Sequence, residues 1–303
     1  MTVPEFINDI IQYDFVRKGL FASIMVGIIC GVLGCFIVLR GLSLMGDAVS
    51  HAIVPGVAIS FIFSINIFYG AVAAGTLAAL GIGYVQQNSR IKQDSSIGII
   101  FTAFLALGVL LIRHAKSGIK LDSIMFGSLT SVQSNDMWLT LVIGAIVLAA
   151  LLLFYKELVV STFDPIMAAA YGLPTRLIHY ALMVLLTLVT VASMQTVGVI
   201  LVVSLLIMPA STAYLLTNRL SIMMLLSAVF GVMSTLVGLY YSFAYDLQSG
   251  AVIVLAAFVI FVLAFFLSPG RGILWRGIGK LLRLSQPASS SQQAIIKLIR
   301  KRG

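Results

Sequence analysis

Hydrophobic residues run through this chain in long, nearly unbroken stretches separated by short polar ones. Nine stretches come close to the about 17–25 apolar residues that a membrane-crossing helix requires: residues 19–39, 44–63, 68–86, 97–112, 137–155, 178–192, 197–217, 222–243 and 251–267. The pattern predicts an all-α, polytopic helical membrane protein of about eight to nine transmembrane helices. The sixth stretch is short, and the second contains Asp47, His51 and Pro55. Either is open to being tilted, broken or re-entrant, which is why eight spans stands beside nine.

Composition narrows the class. Of 303 residues, 60% are hydrophobic and 10% charged, whereas about a quarter of the residues in a soluble domain are charged. So few charges cannot cover a water-facing surface, which excludes a soluble enzyme, a nucleic-acid-binding domain and a disulfide scaffold together. Cys30 and Cys35 both lie within the first apolar run and read as buried, aliphatic-like residues.

The net charge of +9 belongs to one end of the chain: after Ser268 there are 8 Lys and Arg and no acid, and before it 11 basic residues face 10 acidic ones. By the positive-inside rule, Arg271, Arg276, Lys280, Arg283, Lys297, Arg300, Lys301 and Arg302 place the C-terminus in the cytoplasm. Nine spans then put the N-terminus outside. They also place Arg40, Arg90, Lys92, Lys156, Arg176 and Arg219 in inner loops, with Arg17, Lys18, Arg113, Lys116 and Lys120 outside.

Three parts follow. Residues 1–18, with Glu5, Asp9 and Asp14 and without the basic start or small-residue cleavage site of a secretory signal, are expected to form an interfacial segment. Residues 19–268 form the transmembrane domain. Residues 269–303 form a basic cytoplasmic tail, held at anionic lipid through the segment after the polar linker 289–293.

The densest chemistry lies in the second stretch. Asp47 and His51 are four residues apart, so on a helix a carboxylate and an imidazole project from one face about a turn apart. An Asp at the centre of a spanning helix costs at least about 2.5 kcal/mol, and such groups normally face protein or a water-filled path. Pro55 removes the donor that would satisfy the carbonyl of His51 and predicts a kink there. Gly46, Ala48, Ser50, Ala52, Gly56 and Ala58 are small enough to let another helix approach, as where two copies of this helix face each other. Across such a two-fold axis, two Asp47 and two His51 would offer four oxygen and nitrogen ligands suited to divalent Mn, Zn or Fe. On spacing alone, a hydrogen bond between Asp47 and His51 within one helix is an equal alternative.

A second signal is STFDPIMAAAYGLPTR, residues 161–176. Asp164 suits a helix N-cap, Pro165 the first helical position and Gly172 the C-terminal stop, with Pro174 preventing continuation. This predicts one or two turns of helix in a cytoplasmic loop. Ala168, Ala169 and Ala170 would give it a slim face able to dock in a partner's groove, although short capped loop helices without partners are common. Pro209 marks a second helix kink, where Ser204, Ser211 and Thr212 either line a path or satisfy backbone. His114 and His179 sit beside basic residues at span ends and read as interfacial, and Met194, Met208, Met223 and Met224 as gap-fillers. The sequence contains no Gly-x-x-x-x-Gly-Lys-Ser/Thr loop, since Gly279-Lys280 is followed by Leu281. Any ATP that drives this protein is bound by another chain.

Three segments resemble the membrane permease subunit of ABC-type importers for divalent metals, the ABC-3 family: RGLSLMGDAVSHAIVPGVA at 40–58, FDP at 163–165 with AAAYG at 168–172, and VGVILVVSLLIMPA at 197–210. The resemblance spans roughly residues 15–270 and implies a type II ABC importer-like permease in a prokaryotic plasma membrane. It implies a pathway between two copies of the chain, two cytoplasmic ABC ATPase subunits and an extracellular metal-binding solute-binding protein. It implies no enzymatic activity in this chain, no nucleic acid partner and no permanently bound cofactor. Residue by residue, the family's metal ligands fall on Asp47 and His51, and its ATPase-coupling helix on Asp164, Pro165, Ala168, Ala169, Ala170 and Gly172. The cargo is a divalent metal, Mn(II) by the balance of the family, with Zn(II) or Fe(II) as alternatives. An ion-coupled secondary transporter would also use an embedded Asp and His on a broken helix, but would need no ATPase.

Overall fold

A computed structural model describes residues 12–114 and 134–268. Among the described residues the regular structure is entirely helical: α1 (Asp14–Leu39), α2 (Ser43–Ala52), α3 (Val54–Ile62), α4 (Ile67–Asn88), α5 (Gln93–His114), α6 (Ser134–Leu153), α7 (Tyr155–Phe163), α8 (Pro165–Ala170), α9 (Thr175–Val197), α10 (Val199–Leu216), α11 (Leu220–Tyr245) and α12 (Ser249–Leu267). Nine segments of them are long and apolar enough to cross a membrane, with α2 and α3 together making the second, Ser43–Ile62.

Helix ends depart from the apolar runs where polar side chains serve the backbone. The sixth span is a full helix of 23 residues rather than a short one. The apolar run ends at Ala192, but the Thr196 hydroxyl bonds the carbonyl of Ser193 at 2.8 Å, so polar residues extend the helix to Val197. Gly198, at φ 88°, then separates α9 from α10. The first helix starts at Asp14, whose carboxylate pairs with Arg17 and Lys18. Residues 14–18 are therefore continuous with the first spanning helix. Residues 1–11 of the expected interfacial segment, Lys116 and Lys120, and the whole basic tail 269–303 lie outside the described residues.

The core forms around α1, which packs against α10 and α11. Val26, Cys30, Leu33, Phe36 and Ile37 are fully buried there. Ser227 of α11 donates to the Gly31 carbonyl at 2.7 Å, which fixes the close crossing of these two helices. Both cysteines are buried free thiols, as the first apolar run implied. By contrast α5 and α12 turn Leu107, Val109, Leu110, Leu255, Phe258 and Leu263 outward, the distribution expected where helices meet lipid instead of water.

One end of the bundle gathers the basic loops. Arg40 bonds Ser161 and Thr162, Gln93 bonds the Gly41 carbonyl at 3.0 Å, Tyr155 bonds Ser221 at 2.8 Å, and Ser268 bonds the Leu215 carbonyl at 2.5 Å. The connections bearing Arg40, Arg90, Lys92, Lys156, Arg176 and Arg219 therefore share one end, the end that the charge pattern assigns to the cytoplasm.

Candidate metal site and docking loop

The second span breaks where Pro55 requires it. Helix α2 ends at Ala52, Ile53 adopts φ −76° and ψ −16°, and α3 begins at Val54 with Pro55 in its first turn. Pro55 has no N–H for the His51 carbonyl, so the helix is interrupted there for one residue, Ile53, which itself keeps right-handed helical dihedrals. His51 thus sits on the last turn of α2 and Asp47 one turn before it.

The Nε2 of His51 lies 3.6 Å from Oδ1 of Asp47. That is longer than a hydrogen bond and within the range of a charge contact along one helix. It suits two ligands of one ion: with each atom about 2.1 Å from a divalent transition metal, this separation corresponds to an angle of roughly 120° at the metal. The Asp47 side chain is 54% exposed and that of His51 24%. Leu44 is also exposed, so Leu44, Asp47 and His51 line a face of α2 that the chain's own helices leave largely uncovered. Phe101 of α5 borders this face, its ring centroid 5.6 Å from that of His51. Among the described residues no group of three or more His, Cys, Asp or Glu converges, so one chain presents this pair alone.

The small residues do something other than the sequence suggested. Gly46, Ala48, Ser50, Ala52, Gly56 and Ala58 are all buried within the chain. A Cβ on Gly46 would stand 2.8 Å from Leu206, and one on Gly56 would stand 2.0 Å from the Gly70 carbonyl oxygen. They admit α10 and α4 of the same chain, and the face of α2 left outward carries Leu44, Asp47 and His51.

The loop helix forms as its capping residues predict. The Asp164 carboxylate accepts from the Met167 amide at 2.9 Å, and Pro165 occupies the first turn of α8. At the other end the Gly172 amide donates to Ala169 O and the Leu173 amide to Ala168 O, both at 3.0 Å. This paired ending places Gly172 at φ 79°, where a side chain is strained. The three alanines do not share a face, however. Ala168 is fully buried whereas Ala169 and Ala170 are exposed, because neighbouring positions on a helix point about 100° apart. The outward surface is instead Ile166, Met167, Ala169, Ala170 and Tyr171, with Ile166 84% and Tyr171 74% exposed.

Arg40, read in the sequence as an inner-loop charge and as the first residue of the segment at 40–58, bonds the helix that precedes the loop helix. Its Nε donates to Thr162 Oγ1 at 2.9 Å and an Nη to Ser161 Oγ at 2.6 Å. Both hydroxyls in turn donate to the Leu158 carbonyl, at 2.6 and 3.3 Å. Burial lowers the guanidinium's pKa, although an arginine stays protonated throughout the physiological range. Beside it a cavity of about 490 Å³ is lined by Gln87, Pro165, Arg176 and His179 among others, with no carboxylate in its wall.

Pro209 leaves α10 continuous from Val199 to Leu216. The nearby hydroxyls serve the helix itself: Ser204 bonds Ile200 O and Thr212 bonds Met208 O, both at 2.7 Å. His179 lines the Arg40 cavity, away from Asp47.

Among the described residues, nine helical segments long and apolar enough to cross a membrane, one of them broken beside an Asp–His pair and another followed by a capped loop helix, define a polytopic helical membrane protein. Residues 12–268 match the ABC 3 transport family, and the chain belongs to it. It is 55% identical over 270 residues to the manganese transport system membrane protein MntC of Listeria monocytogenes, covering 89% of this chain and 96% of that one. It is 48% identical over 267 residues to the manganese import system permease protein ScaB of Streptococcus parasanguinis, covering 88% and 95%. The solved structure of PsaBC from Streptococcus pneumoniae in complex with Fab matches with TM-score 0.80 at 46% identity, over 89% of this chain and 98% of that one. The chain is accordingly an ABC transporter permease, a multi-pass protein of a prokaryotic plasma membrane.

Proposed function

We propose that this chain is the permease half of an ATP-driven importer of Mn(II), in which Asp47 and His51 from two copies hold the ion in transit. The observation that carries the site is the pair itself: two ligating atoms 3.6 Å apart on a half-exposed face of a broken spanning helix. Among the described residues one chain offers two such ligands here, and a second copy across a two-fold axis would make four. The names of the relatives support manganese, and the oxygen and nitrogen donors suit it.

ATP-binding subunits would dock on the exposed face of α8 and a solute-binding protein would deliver the metal from outside. Closure of the ATP-binding subunits draws the two docking helices together and repacks the interface between the permease copies, a two-state element. The ion must leave as readily as it enters, so an incomplete ligand shell is an advantage over a closed cage. The chain itself performs no covalent chemistry.

The test is metal accumulation in cells lacking the chain, with Mn, Zn and Fe measured together after complementation. The reading predicts a selective manganese deficit restored by the wild-type chain but by neither Asp47→Ala nor His51→Ala. A deficit in zinc or iron alone overturns the choice of metal, and full rescue by both variants overturns the site.

A further inference from the structure

In an importer of this kind, movement at the α8 loop has to reach the helix that carries Asp47 and His51. Arg40 caps α1 and sits in the turn that leads into α2, seven positions before Asp47. That turn is rigid. Gly41 donates to Val38 O, Leu42 to Ile37 O and Met45 to Leu42 O, at 3.1, 2.9 and 2.9 Å, while the Gly41 carbonyl accepts from Gln93 of α5. Since α2 is one uninterrupted helix from Ser43 to Ala52, a displacement of the turn carries Asp47 and His51 with it.

On the other side, Ser161 and Thr162 occupy the last turn of α7, directly before Asp164 caps α8. Helix α8 itself packs on α7 and α9. The two Arg40 bonds are thus direct side-chain links from the docking segment to the turn that starts the metal-site helix.

We propose that Arg40 is the transmission contact of the importer, the positioning residue through which movement of α7 and α8 reaches the helix carrying Asp47 and His51. This rests on the function proposed above. The chemistry suits a contact that must change partners. A guanidinium bonded to neutral hydroxyls binds more strongly than a neutral pair, yet without the geometric lock of a bidentate carboxylate. No carboxylate pairs with Arg40 among the described residues, and the adjoining cavity leaves room for its side chain to move.

The experiment measures Mn(II) transported per ATP hydrolysed by the complete importer, permease with its ATP-binding subunit and binding protein, in proteoliposomes. Arg40→Gln and the paired Ser161→Ala/Thr162→Val are each expected to lower uptake about tenfold while ATP hydrolysis changes less than about twofold. Combining all three substitutions should cost no more than either set alone, and Arg40→Lys should restore part of the coupling. Were Arg40→Gln not to assemble, Ser161→Ala/Thr162→Val removes the same bonds without altering a charge and decides the matter. Uptake and hydrolysis falling in proportion, losses that multiply on combination, or unchanged uptake would each overturn the proposal. An Asp47→Ala control separates the two levels: normal transport by it removes the metal-site reading and this proposal together. If Asp47→Ala abolishes transport while Arg40→Gln transports normally, only the transmission role is lost.

Discussion

Phe101 of α5 meets His51 of α2 edge to face, with 5.6 Å between ring centroids and 64° between ring planes. The contact covers one side of the imidazole whose Nε2 lies 3.6 Å from Asp47 Oδ1. Such an aromatic pair is worth about 0.5–1.5 kcal/mol beyond simple burial, so Phe101→Ala should raise the manganese concentration for half-maximal uptake by about two- to tenfold. Phe101→Tyr, which keeps the ring, should leave it within a factor of about two. Concentration curves for ion uptake check both, and equal affinities for Phe101→Ala and wild type would show that His51 is fixed by something else.

Two adjacent alanines in the docking helix should behave in opposite ways. Ala169 is exposed, so Ala169→Trp is expected to leave thermal unfolding unchanged and to abolish copurification with the ATP-binding subunit. Ala168 has no exposed surface, so Ala168→Leu should overpack the loop and lower stability by about 1–3 kcal/mol. Thermal melts and pull-down on the same two variants separate the effects. Normal assembly of Ala169→Trp would argue that the partner docks elsewhere.

The caps of α8 give a finer test. Asp164→Ala loses the bond to the Met167 amide and should destabilise the loop by about 1 kcal/mol, whereas Asp164→Asn, which can still accept that bond, should not. Gly172→Ala forces a side chain into φ 79° at a cost of about 1–2 kcal/mol. Limited proteolysis of the loop reads these differences, with faster cleavage expected for Asp164→Ala and Gly172→Ala only.

Much of this was legible in the sequence because lipid removes alternatives. A run of apolar residues in a bilayer must satisfy its backbone internally, so nine runs gave nine spans, and Pro55 marked the break beside His51. The caps Asp164 and Gly172 were equally readable, since capping depends on residues a few positions apart. Contacts between distant segments were not readable. Arg40 reaches Ser161 across 121 positions, and no spacing rule links a loop arginine to two hydroxyls. The small residues of α2 misled for the same reason: composition shows that a helix can approach, and only the fold shows that the helix is α10 or α4. Likewise three alanines in a row suggest one slim face until the packing of α8 on α7 turns Ala168 inward.

The most direct measurement of the central claim is the metal content of the purified wild-type permease after equilibration with Mn(II) in lipid nanodiscs. Two chains sharing one ion predict a stoichiometry of about one manganese per pair of copies, lost in Asp47→Ala and in His51→Ala while the variants remain paired. Retention of the same bound manganese by both variants would contradict a site built from these two side chains.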